Sequence, residues 1–404
     1  MMTILTIITI VVVMAALLAI GIRRFRHRGL DRWLFGYLAT PGRRRPLEPG
    51  SDIHLLLCLC DHFEPMHDAG SAEVGDARVA RWVEDYPRRF DRFRDADGRP
   101  PRHTFFYPME QYNPAHVDAL AGLCRLGFGE VEVHLHHDGD TSEGVRRSLT
   151  EFREILADRH GMLARRRSDG ANLYGFIHGN WCLDNSRPDG RYCGVNDEIN
   201  ALIETGCYAD FTMPSAPDPT QTLTINSLYY AIDDPARPKS HDRGVPVGVG
   251  PVPDQSLMMI QGPVVLSWRR PKWGVLPRIE NACIQSNQAA TIDRLDDWLR
   301  ARVQVPSRPD WYFVKLHTHG GPESNQRVLL DAPMVRFHEG LANRMRDDPR
   351  FHVHYVTARE LYNLARAAEA GWTGSVAGAI DYELTWNGAA THVFDHSQPR
   401  PSEA

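Results

Sequence analysis

The chain has 404 residues, of which 42% are hydrophobic and 24% charged, with a formal net charge of -5. That length buries one large core or two modest ones, and the composition is that of an ordinary globular protein. The charge gives no electrostatic footprint for nucleic acid, which excludes it as an expected partner.

The first element is an apolar run, Thr3 to Ile22, without a single charge. It is long enough to cross a bilayer core as a helix. Only the amino terminus precedes it, so a retained single-pass anchor is expected over a cleaved signal peptide. Arg23, Arg24, Arg26, Arg28 and Arg32 follow at once, then Arg43, Arg44 and Arg45. Arginines crowded at one end of a span stay in the cytoplasm, which predicts a globular body on the cytoplasmic side of the cell membrane. Trp33, Phe35 and Tyr37, set among these arginines, suit either the headgroup level or a solvated linker. Residues 23–51 read as a basic juxtamembrane linker.

From Asp52 the pattern becomes strand, loop, helix, repeated. "IHLLLCLC" (Ile53 to Cys60) is a nearly continuous apolar run, as expected for a strand covered on both faces. "RHTFFYP", "EVEVHLH", "NLYGFIHG", "ADFTMPS", "MMIQGPVVLSW", "WYFVKLHTH" and "FHVHYVT" follow as further strands. Between many of them lie helical patterns, at 77–94, 115–126, 142–160, 195–205, 291–304 and 332–346. This alternation predicts an α/β fold with parallel pairing over residues 52–370. About seven or eight such units suggest a closed (β/α) barrel, with an open doubly wound sheet as the alternative. Asp218 to Gln261 interrupts the rhythm and reads as a lid or substrate loop. Residues 371–404 read as an irregular tail whose end, "SQPRPSEA", is expected to be disordered. The seven cysteines have no regular spacing, which argues against a disulfide framework and agrees with a reducing compartment.

The chemistry gathers at the predicted strand ends, where barrels of this kind carry function. "CDHFEP" supplies Asp61, His62 and Glu64, and "VHLHHD" supplies His134, His136, His137 and Asp138. "HGNW" supplies His178, and "HTHGG" supplies His317 and His319. Imidazole and carboxylate groups from four segments suit a divalent, zinc-like ion with three protein ligands and an open position. His134 and His136 share one face of their strand, whereas His137 and Asp138 lie where it turns into a loop. Asp140 to Ser142 read as helix-entry residues.

These motifs resemble those of the polysaccharide deacetylase superfamily, of the carbohydrate esterase family 4 type. The resemblance implies a distorted seven- or eight-stranded barrel that uses a bound metal ion to remove acetyl groups from sugars. In that family the first strand ends in a base aspartate followed by a metal aspartate. "LCLCDH" occupies this place, which makes Asp61 the base and puts His62 where the metal aspartate stands. The family's metal-binding histidine pair, four residues apart, matches His134 but meets Asp138 at the second position. The second ligand is then Asp138, or His136 or His137 in its stead. "VKLHTHG" matches the late leucine-histidine pair at Leu316 and His317, which makes His317 the acid. The family's arginine-proline motif is absent, and "FIHGNWCLDNS" stands in that region.

The expected activity is thus a metal-dependent hydrolase acting on an acetylated sugar, and a cytoplasmic body points to a lipid-linked or nucleotide-linked precursor. The expected metal ligands are His62, His134, His136 and Asp138, with Asp61 and His317 catalytic. His178, Trp181, Asp184, Asn185 and His319 are expected to contact substrate. Two other readings compete. One is a metal-independent glycosidase using paired carboxylates such as Asp61 and Glu64. The other is a carbohydrate-binding or assembly protein without turnover.

Overall fold

The computed structural model of the chain describes residues 2–27, 29–39, 46–386 and 388. Helix α1 (Met2–His27) includes a candidate span at Thr6–Arg26, none of it buried against the body. The structure contains a second helix where the sequence suggested a linker, α2 (Leu30–Ala39). Its Trp33 is fully buried in a small apolar cluster with Ala216, Ile225 and Val264. The expectations for Arg28, for Arg43, Arg44 and Arg45, and for the tail beyond residue 388 lie outside the described residues.

The body opens with β1 (Ile53–His62), α3 (Ala72–Phe90), β2 (His103–Pro108), α4 (Pro114–Leu123), β3 (Gly129–Leu135) and α5 (Ser142–Glu154). Then come β4 (Ala164–Arg166), β5 (Asn172–His178), α6 (Glu198–Glu204) and β6 (Cys207–Asp210). The interrupting segment carries β7 (Leu228–Ile232), β8 (Val245–Pro246) and β9 (Ser256–Ile260). Next is an antiparallel hairpin, β10 (Val265–Lys272) and β11 (Leu276–Glu280). The remainder is β12 (Cys283–Ile284), α7 (Ile292–Ala301), β13 (Trp311–Thr318), α8 (Glu323–Leu329), α9 (Ala332–Asp347), β14 (Phe351–Val356), α10 (Ala358–Glu369) and β15 (Leu384–Thr385). β15, within the expected tail, pairs with β4.

The main sheet runs β12-β13-β1-β2-β3-β5-β6-β9-β7-β8. Its pairings are parallel from β12 to β9, while β7 joins antiparallel to β9 and β8. β1 pairs with β13 along one edge, and its other edge is shared between β14 (from Ile53 to Cys58) and β2 (from Cys60 to His62). Both faces of β1 are covered, as its apolar run requires. Leu55 and Leu57 pack into the cluster shared with α3, α4 and α5, and Leu56, Cys58 and Cys60 pack into the opposite one.

Closure corrects the barrel expectation. The strand path has two ends, and no ladder joins them among the described residues. The sheet nevertheless wraps far round. In a flat sheet β13 and β6, five steps apart, would be separated by about 24 Å. Instead Lys315 Nζ on β13 donates to the carbonyls of Phe211, just past β6, and of Met213. Gly262, just past β9, lies so close to the Lys315 carbonyl that a Cβ would collide with it. A buried lysine and a glycine thus seal the seam where a closed barrel would have hydrogen-bonded strands.

Candidate metal centre and active-site cavity

Alternation at two strand ends builds the site. His62 follows Leu56, Cys58 and Cys60 on the inner face of β1, and Glu64 continues that parity. His134 on β3 and His136 just beyond it also share one side. Nε2 of His134 lies 3.3 Å from Glu64 Oε1, and Nε2 of His136 lies 2.9 Å from the same oxygen. His319, just past β13, approaches Glu64 Oε2 through Nδ1 at 3.4 Å. The rings of His62 and His319 are 4.6 Å apart, and those of His62 and His134 are 5.0 Å apart. Gly179, past β5, is required by this arrangement, because a Cβ there would strike the His136 ring.

The outward nitrogens show which atoms face the cluster. His134 Nδ1 donates to the Ile177 carbonyl at 2.7 Å, and His136 Nδ1 donates to the Glu110 carboxylate. In neutral rings each of these bonds leaves Nε2 with its lone pair turned toward Glu64. Nitrogens and a carboxylate oxygen at such distances are bridged by ring protons or by a cation, and against burial the Glu110 and Glu64 carboxylates raise His136 to about 9. Outward bonds to a carbonyl and a carboxylate are those that orient metal-binding histidines. Glu64, His134 and His136 therefore fit a divalent ion, with ligand atoms within 4.8 Å of one another.

Burial would raise the Glu64 carboxyl, but hydrogen bonds from His134, His136 and His319 hold it far below the usual carboxylate range. Burial, reinforced by His319 and His134, keeps His62 neutral at physiological pH. The cluster opens into a cavity of ≈ 520 Å³ bordered by His62, Glu64, Glu110, His136, Trp181 and His319. The Trp181 ring stands edge-on, 6.4 Å from His62 and 6.2 Å from His319.

Of the residues expected to be functional, His62, His134, His136, Trp181 and His319 come together here. Asp61 does not. It points to the other side of β1, fully buried, where Oδ1 accepts from Gly320 N at 2.6 Å and Oδ2 from His103 Nε2 at 2.8 Å. His317 is buried on β13, its Nδ1 without a hydrogen-bond partner, and burial holds it neutral. Asp138 turns to the loop, where it accepts from Tyr192 N at 2.8 Å. Asp184 accepts from Ser240 N, and Asn185 donates to Asn196, both away from the cavity. His178 joins His137 behind the cavity wall.

Two cavity carboxylates carry more weight than their sequence suggested. Glu64 was legible by parity, two residues after His62 on the same strand end. Glu110 has only its position two residues past Pro108, at the end of β2, to mark it.

No family model matches the sequence, and no curated protein matches it. Among solved structures, a protein from Mycobacterium smegmatis provisionally described as a polysaccharide deacetylase is similar at a TM-score of 0.41 and 13% identity. That match covers 80% of this chain and 93% of the other.

Proposed function

We propose that the chain is a membrane-anchored, metal-dependent hydrolase that removes acetyl groups from a sugar or sugar polymer precursor. The observation that carries this reading is the convergence of Glu64, His134 and His136, flanked by His62 and His319, on one open cavity. Zinc is the ion that this donor set suits best. When bound, it would polarise an acyl carbonyl and make water acidic enough to attack near neutral pH.

The chain's own residues supply the rest. Glu110 orients His136, and the Ile177 carbonyl orients His134. His62, neutral and bordering the cavity, accepts the proton of the attacking water. His319 stands across from it to protonate the leaving group. Asp61 takes a supporting place in this scheme. Asp61 clamps the Gly320 amide and thereby fixes the turn that presents His319. Trp181 offers a flat apolar wall against which a sugar ring can lie.

The glycosidase reading is disfavoured because Asp61 and Glu64 leave β1 on opposite sides and do not flank one cleft. The test uses the full chain in detergent with N-acetylated and O-acetylated oligosaccharides. Acetate release that is abolished by chelator and restored by zinc is expected. No acetate from either substrate class under zinc would sink the reading in favour of a binding protein.

The membrane side of the proposal rests on α1 and on Arg23, Arg24 and Arg26 at its carboxy-terminal end. The β10–β11 hairpin supports it, because it exposes Trp268, Trp273, Val275 and Leu276 beside the docked α2. A cytoplasmic body favours a lipid-linked sugar as substrate. Carboxy-terminal reporter fusions decide the side. Activity only in an exported compartment would move the substrate to the cell exterior.

A further inference from the structure

We propose that His137, His178, Cys193 and Glu198 form a second, closed site for a divalent ion of the zinc class, which pins the loop between β5 and α6 to the sheet. The two sites share no ligand, so this inference stands or falls independently of the hydrolase reading.

The four side chains come from four places: the turn after β3, the end of β5, the loop, and the start of α6. Nε2 of His137 lies 2.9 Å from Nε2 of His178 and 3.0 Å from Glu198 Oε1. His178 Nε2 lies 3.3 Å from that same oxygen, and Cys193 Sγ lies 3.4 Å from Glu198 Oε2. A tetrahedral zinc site with bonds of about 2.0–2.3 Å has edges of roughly 3.3–3.6 Å. The two imidazole nitrogens and Glu198 Oε1 form one face of that tetrahedron, drawn in by up to a few tenths of an ångström, and Cys193 offers a fourth ligand atom within 4.8 Å of the others.

The surrounding hydrogen bonds assign the facing atoms. His178 Nδ1 donates to the Gly179 carbonyl at 2.6 Å, which leaves the lone pair of the neutral ring on Nε2. Burial also keeps this ring neutral, down to about 4, against the pull of Glu198. Glu198 Oε2 accepts from Asp184 N at 2.6 Å, so Oε1 is the oxygen left for the two histidines. Cys193 Sγ receives backbone amides from Asn185 at 3.2 Å and from Val195 at 3.5 Å. Amide donors of this kind favour a thiolate, although burial alone pushes the thiol up. A bound ion replaces the thiol proton, which leaves to solvent.

The site is closed. His178, Cys193 and Glu198 are fully buried, and the His137 side chain is 6% exposed. Structural zinc sites are closed in this way, with the protein filling every position. The loop also needs a fastening. Between β5 and α6, Asn180, Trp181, Asp184, Asn185 and Tyr192 all hold positive φ. Each such residue holds a backbone strain that the surrounding structure must offset. Fixing this loop fixes Trp181, the wall of the catalytic cavity.

The test uses the full chain in detergent, purified without chelator. Elemental analysis should give about two divalent ions per chain, falling by one in Cys193→Ser and, from the other site, by one in His134→Ala. Replacement with Co²⁺ should give a near-ultraviolet thiolate-to-cobalt band that persists in His134→Ala and vanishes in Cys193→Ser. A cobalt-loaded parent without the thiolate band overturns the proposal, and so does a metal content unchanged by Cys193→Ser. The parent spectrum decides the matter even if that variant fails to fold.

Discussion

His136 and His137 are neighbours in the chain and lie in two different clusters. His136 joins Glu64 and His134 at a cavity, whereas His137 joins His178, Cys193 and Glu198 behind its wall. Both clusters collect imidazole and carboxylate, so donor chemistry alone does not separate them. Access does. The open cluster leaves His136 and His319 with side-chain exposures of 28% and 30%, room for water and a substrate. The closed cluster adds the Cys193 sulfur and is buried from solvent. On the two proposals, the same ligand types would serve chemistry where the sheet ends in a cavity and cohesion where a loop folds over it.

The sharpest way to break this comparison is His134→Ala. Removing a ligand from the open cluster should lower acetate release by about a thousand-fold or more, with little change in Tm. A variant that keeps near-parental turnover would remove the open cluster from the mechanism. Glu110→Gln should act more mildly. It weakens the outward bond of His136 and should cost about ten- to a hundred-fold in metal affinity at the open cluster alone, as read by metal titration. Equal weakening of a thiolate-bound ion would show that the clusters are not independent.

Asp61→Asn tests a positioning role against a proton-accepting one. Its carboxylate holds Gly320 N and His103, so the variant should lose about 1–3 kcal/mol of stability in denaturant titrations. The pH profile of kcat should be unchanged. A flattened profile at parental stability would restore Asp61 as the base.

The smallest effect concerns stability that belongs to neither cluster. Burial raises Asp210 to about 7, against hydrogen bonds from Thr212. A carboxyl raised on folding favours the folded state below about pH 4 and loses that contribution as pH rises through about 7. Asp210→Asn should therefore be more stable than the parent above pH 7, by about 1–2 kcal/mol, and similar to it near pH 4. Thermal melts across this range check the sign.

Much of the fold was legible because β1, covered on both faces, reads as a nearly continuous apolar run, and because strand patterns alternate with helical ones along the chain. The open cluster was legible for the same reason that strands alternate: 134 and 136 share a face, as do 62 and 64. The same rule also showed Asp61 facing away from His62, since it continues the side of Leu55 and Leu57. The family pattern outweighed that parity in assigning the base. The closed cluster was hidden because its loop has no period. Cys193 and Glu198 reach the histidines only through turns with positive φ, which no spacing announces. The β10–β11 hairpin was likewise read partly as one strand, because its apolar run continues to Trp268 before the turn at Trp273 and Gly274.

The docking of α2 has a consequence for how substrate is met. A free linker would let the body roam over a hemisphere above the lipid, searching three dimensions for its target. Gly36, packed without a Cβ's clearance against the Leu223 carbonyl, and Trp33, sunk beside Ala216, remove that freedom. The segment they grip follows the carboxy-terminal end of β6, and the cavity lies at the carboxy-terminal ends of β1, β3 and β13. Were α1 to span a bilayer, as proposed, this grip would keep the body close to the membrane surface. A substrate tethered to the same membrane would then arrive by lateral diffusion, and the search would become two-dimensional.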